Sequence, residues 1–293
     1  MTSISHYARL FAGSTAIVLV GCAKAETQVS DTTATAAAPA APAAAAAPSM
    51  VSFTAKDYAF EGPDTIPAGL TMFHLTGAGK ELHHLSLTKL IEGKTYADLE
   101  ASLKAGGPPP AWAVPYGGVN PGAPGETTIA SIVLEPGNYA VLCWVEGADH
   151  KPHLAKGMRK PLTVKESATA NMTEPTADVT MTLNDYSFTM SKPLAAGRQM
   201  IKVENAAAQP HEVVLVQLAP GKTIEDVGKW VMDMKGPPPG KPIGGIPGFI
   251  KGKNAFFEAT LTPGDYGMIC FLPDAKDGKP HFEHGMVQTV KIS

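Results

Sequence analysis

The chain has 293 residues, with 24 lysines and arginines against 27 aspartates and glutamates, a formal net charge of −3. A slightly acidic chain without basic runs offers no electrostatic footprint for nucleic acid, and no nucleic-acid partner is expected. Three cysteines are too few for a disulfide framework and leave isolated thiols to be explained.

Residues 1–21 carry one arginine, a short apolar run and small residues before Cys22. The run is too short to cross a bilayer, so the segment reads as a secretory signal. Leu19-Val20-Gly21-Cys22 resembles a bacterial lipobox, which implies acylation of Cys22 and membrane attachment through an N-terminal lipid anchor. Ala23 in place of Asp implies an outer-membrane lipoprotein facing the periplasm. Residues 22–50 are rich in Ala, Pro, Thr and Ser, cannot bury enough apolar surface to fold, and are expected to form a disordered tether.

The rest of the chain is written twice. Leu90 matches Leu218 and Gly93-Lys94-Thr95 matches Gly221-Lys222-Thr223, an offset of 128 residues. The repeat predicts two domains, 51–166 and 178–293, joined by a polar linker over 167–177. Each begins with a strand ending in Asp-Tyr (Asp57-Tyr58, Asp185-Tyr186) and continues with strands over Leu70–Thr76 and Gln199–Asn205. A histidine-bearing strand follows. Thr95-x-x-Asp98 and Thr223-x-x-Asp226 then open a short helix, and a Gly/Pro loop follows it (106–110, 236–240). Three strands close each repeat: Thr127–Leu134, Asn138–Val145 and Met158–Val164, then Ala255–Leu261, Asp265–Phe271 and Met286–Ile292. Short alternating strands with one helix predict an all-β fold of two antiparallel sandwiches.

The chemistry lies in Leu134–Met158 and Leu261–Met286, each a Pro-Gly turn, a strand with Tyr and then one Cys, a polar loop, and Lys-Pro-His followed by Met. Thiolate, imidazole and thioether form the donor set of a blue-copper centre, which needs one more histidine. The offset selects His83 to match His211, and strand alternation turns His83 inward and His84 outward, where Glu212 is its match. The candidate metal ligands are therefore His83, Cys143, His153 and Met158 in the first repeat, and His211, Cys270, His281 and Met286 in the second. His150 and His284 do not match between repeats and read as loop histidines, and His74 as a surface or edge residue. A buried, metal-free cysteine is the alternative for each thiol.

Asn205…Pro210-His211, Pro263-Gly-x-Tyr266-x-x-x-Cys270 and His281 followed by Met286 resemble the cupredoxin family of blue copper proteins. The resemblance implies two tandem Greek-key β-sandwiches, each with one short helix and one copper. Cys143 to His153 and Cys270 to His281 are longer intervals than the two to four residues usual in that family, and a looser, more exposed metal is expected. The fuller match around His211 leads to an expectation of tighter copper binding in the second half.

The residues beside the cysteines are Trp144 and Phe271, and no His-x-His pair occurs, so the paired sites and trinuclear cluster of multicopper oxidases are not expected. The sequence therefore predicts no enzyme, and one-electron transfer with an unknown redox partner. Copper storage or delivery with a copper donor or acceptor, and a metal-free interaction module, stay open as alternatives.

Overall fold

The computed structural model describes residues 47–106 and 109–293. Cys22, the signal and most of the tether lie outside the described residues. The strand that opens the fold begins at Ser49, two residues inside the expected tether.

The first half runs β1 (Ser49–Lys56), β2 (Ala59–Glu61), β3 (Thr65–Pro67), β4 (Gly69–Gly77), β5 (Leu85–Leu90), α1 (Tyr96–Ala105), β6 (Ala113–Val119), β7 (Thr127–Leu134), β8 (Gly137–Leu142), a 3-10 turn (His153–Lys156) and β9 (Arg159–Lys165). The second half runs β10 (Val179–Asn184), β11 (Ser187–Met190), β12 (Gly197–Asn205), β13 (His211–Leu218), α2 (Ile224–Asp233), β14 (Gly240–Phe249), β15 (Asn254–Leu261), β16 (Gly264–Ile269), a 3-10 turn (His281–His284) and β17 (Val287–Ile292). Both helices start where their capping boxes require. Thr95 and Thr223 accept from the backbone N–H three residues on, and Asp98 and Asp226 accept from the cap's own N–H.

Two sheets face each other, in the strand orders β11-β10-β12-β15-β7-β4-β1-β2 and β17-β16-β13-β14-β6-β5-β8-β9-β3. Each sheet runs through both halves, because β15 pairs with β7 and Phe249 of β14 lies opposite Tyr116 of β6. Alternate residues point into one shared core, as with Val51, Phe53 and Ala55 on β1 and Val213 and Leu215 on β13. Burying those five apolar side chains from water contributes on the order of 10 kcal/mol before conformational entropy is counted. Most pairs are antiparallel as expected, but β1–β4, β10–β12 and β3–β9 are parallel.

β6 and β14 were not expected, because Pro and Gly in AVPYGGV and GKPIGGIPGF suggest loop. Here glycine makes the pairing possible. A Cβ on Gly118 would lie 1.9 Å from Leu85 O, and one on Gly245 2.0 Å from Val213 O. At φ of 140° and 124° these residues let β6 and β14 approach the histidine-bearing strands β5 and β13 closely.

Candidate metal centres

In the first half, His83 enters from the stretch just before β5, Cys143 from the end of β8, and His153 from the 3-10 turn. Their ligand atoms all lie within 4.8 Å of one another. His83 Nδ1 is 3.0 Å from His153 Nδ1, and Cys143 Sγ is 3.6 Å from His153 Nδ1. The opposite edge of each imidazole is held by a carboxylate: His83 Nε2 donates to Asp57 Oδ1 at 2.6 Å and His153 Nε2 to Glu81 Oε2 at 2.6 Å. With both protons committed to Nε2, the two Nδ1 atoms face each other as lone pairs. Two buried nitrogens and a sulfur converging in this way form a donor set that a metal ion fits.

The second half repeats the cluster with His211, Cys270 and His281 within the same 4.8 Å. Cys270 Sγ is 3.3 Å from His281 Nδ1, and His211 Nε2 donates to Asp185 Oδ1 at 3.1 Å. His211 Nδ1 is buried with no hydrogen-bond partner, which leaves it available as a metal donor. His281 Nε2 also lacks a partner, with Asp274 Oδ2 3.9 Å away.

The long loops do not loosen either cluster. His153 N donates to Val145 O, Leu154 N to Cys143 O, and a bridge joins Glu146 to Pro152, so the excursion closes as a hairpin beside the cysteine. His281 N and Phe282 N bond Leu272 O and Cys270 O in the same way. All six donors are at most 2% exposed, which corrects the expectation of an exposed metal. Met158 and Met286 are fully buried, and the backbone of each bonds both the cysteine and the histidine of its cluster.

Burial sets the protonation states. It pushes the Cys143 thiol up to about 12 and raises Cys270 as well. It lowers His153 and His211, and takes His281 down to about 4. His153, His211 and His281 are thus held as neutral donors at pH 7, and each thiol must lose its proton for a metal ion to bind it.

His84 and Glu212 correct the alternation argument. His83 precedes the regular strand, so the expected parity does not apply, and both residues are buried. Each holds the amide that follows its cysteine: Trp144 N donates to His84 Nε2 and Phe271 N to Glu212 Oε1, both at 2.9 Å. Burial drops His84 to about 4 and raises Glu212 to about 7. His150 is half-exposed as expected, whereas His74 lies partly buried on β4, an inner strand. Asp274, Asp277 and His284 also gather within 4.8 Å, but Tyr186, Gln209 and backbone amides already engage the two carboxylates.

The repeated Asp-Tyr pair was legible only as a strand end. In the fold Asp57 and Asp185 orient the first histidine, while the Tyr58 and Tyr186 rings lie 4.9 and 5.6 Å from His153 and His281. Their recurrence at the histidine offset was the available signal.

The two clusters are far apart. β13, β14, β6 and β5 are successive antiparallel neighbours, so the histidine ends of β5 and β13 point in opposite directions. Strand spacing and rise put the clusters on the order of 20 Å apart.

No family model matches the chain, and no curated protein matches it. Among solved structures it is similar to the auracyanin of Roseiflexus castenholzii at 21% identity and TM-score 0.29, over 41% of this chain and 99% of that one. It is similar to the blue copper oxidase of Nitrosomonas europaea at 14% identity and TM-score 0.26, over 84% of this chain and 86% of that one. A copper nitrite reductase from Thermus scotoductus matches at 11% identity and TM-score 0.23, over 83% and 61%. The fold is all-β, built on two sheets.

The expectation of no enzyme is corrected here: the solved structures similar to the chain include a blue copper oxidase, a multicopper oxidase and a copper nitrite reductase, so the exclusion of an enzyme does not stand.

Proposed function

We propose that this chain is an envelope copper protein that passes single electrons through two type 1-like sites. The ligands are His83, Cys143, His153 and Met158 in one half, and His211, Cys270, His281 and Met286 in the other. The observation that carries this reading is the pair of Nδ1 atoms 3.0 Å apart beside Cys143 Sγ, with a carboxylate against the Nε2 edge of each imidazole. Bound copper would supply the one-electron couple. The protein's own groups keep the imidazoles neutral and oriented, exclude water, and hold the cysteine strand in place. A sandwich packed on both sides limits rearrangement when the charge at the site changes.

Acylation at Cys22 would tether the protein to the membrane, and the exchange partner would be a redox protein or a copper donor or acceptor of the periplasm. Copper(II) added to the purified chain is expected to give a thiolate-to-copper absorption band. Cys143→Ser with Cys270→Ser should abolish it. A chain that takes up no copper in either oxidation state would overturn the reading, and one that holds only colourless Cu(I) would point to storage or delivery.

A further inference from the structure

The two clusters differ most at the outer edge of their second histidine. In the first, Glu81 Oε2 takes the His153 Nε2 proton at 2.6 Å, and the other oxygen, Oε1, accepts from Tyr58 OH at 3.1 Å. The position matching Glu81 in the second half is Gln209, which turns away to donate to Asp274 at 2.9 Å and leaves His281 Nε2 unpartnered. Asp274 does not replace Glu81. It lies 3.9 Å from His281 Nε2, and Tyr186, Gln209 and the Lys276 amide already share its charge.

An imidazole that donates to a carboxylate becomes a stronger electron donor through its other nitrogen. A stronger donor favours Cu(II) over Cu(I) and lowers the potential of the couple. Resting on the copper reading above, we propose that Glu81 is a potential-setting positioning residue of the first site. It acts through His153 and makes the two sites unequal, the first being the easier to oxidise. Tyr58 moderates it by drawing on the second carboxylate oxygen, and Lys156 in turn donates to Tyr58 OH at 3.3 Å.

The test uses the full chain carrying Cys270→Ser, so that only the first site reports. Glu81→Gln keeps the size of the side chain but removes the charge. It should raise the ratio of Cu(I) to Cu(II) affinity at least tenfold, read as an upward shift of about 59 mV in the one-electron potential. Glu61→Gln, which removes a surface carboxylate paired with Lys56, should shift it far less. Tyr58→Phe frees Glu81 from a competing donor and should move the potential downward, which keeps the proposal falsifiable if the Glu81 variant folds poorly. Before copper is added, nitrogen NMR should find His153 protonated at Nε2 in the parent and altered in Glu81→Gln. Copper uptake with a potential indifferent to both substitutions would overturn the role of Glu81 and leave the copper site standing. No copper uptake would overturn both.

Discussion

The two halves build the same three-donor cluster from the same elements, yet they anchor it differently. In the first half a single carboxylate does two jobs. Asp57 accepts from His83 and from the amides of Lys80 and Glu81, and the Lys80 bond leads the effects that hold its carboxyl below the usual range. In the second half these jobs are divided. Asn205 pins the turn before His211 through Phe249 O, Gln209 O and the Ala207 amide, while the Asp185 carboxylate accepts from His211 and, among the described residues, from no loop amide. The comparison teaches that loop anchoring and ligand tuning are separable, and that one side chain can carry both.

That difference can be broken by matched substitutions. Asp57→Asn weakens both the imidazole's orientation and its loop, so copper affinity of the first site should fall by about 10–100-fold. Asp185→Asn should cost the second site less, because Asn205 still holds the loop. Copper competition titrations on the single-site Cys→Ser chains decide this, and equal losses would erase the distinction. The fuller motif around His211 describes loop anchoring alone, whereas the carboxylates on both imidazoles would strengthen the first site for Cu(II). The sequence expectation of tighter binding in the second half therefore rests on only one of the two contributions.

A smaller effect sharpens the comparison at His84 and Glu212. His84→Ala leaves the part-buried Trp144 amide without its side-chain acceptor and should destabilise the chain by about 1 kcal/mol in denaturant unfolding. Glu212→Ala orphans the Phe271 amide too, but also removes a carboxyl whose ionisation burial opposes, so it should cost less at pH 7. A larger loss for Glu212→Ala would mean that its charge is compensated by the site.

Much of this was legible because the chain repeats itself. The offset paired histidines that the fold brings into matching clusters, and the Thr-x-x-Asp boxes marked both helix starts. Strands such as Thr127–Leu134 emerged with the expected bounds, since their alternation follows one buried face. What stayed hidden depends on contacts between distant segments. β6 and β14 look like loops until Gly118 and Gly245 are seen beside the carbonyls they accommodate. Glu81 and His153 are separated by 72 residues, and no local pattern joins them. The same holds for the seam, where Lys253 of the second half reaches Glu135 and Tyr116 of the first. Long loops suggested exposure because length alone does not reveal the bonds that fold them back.

The most direct test of the central claim is copper X-ray absorption on the loaded full chain, with metal stoichiometry measured alongside. Two coppers per chain are expected, each with one short bond to sulfur and two to imidazole nitrogen, and each lost separately with Cys143→Ser or Cys270→Ser. Copper bound only through oxygen and nitrogen, at a stoichiometry unchanged by both substitutions, would contradict it.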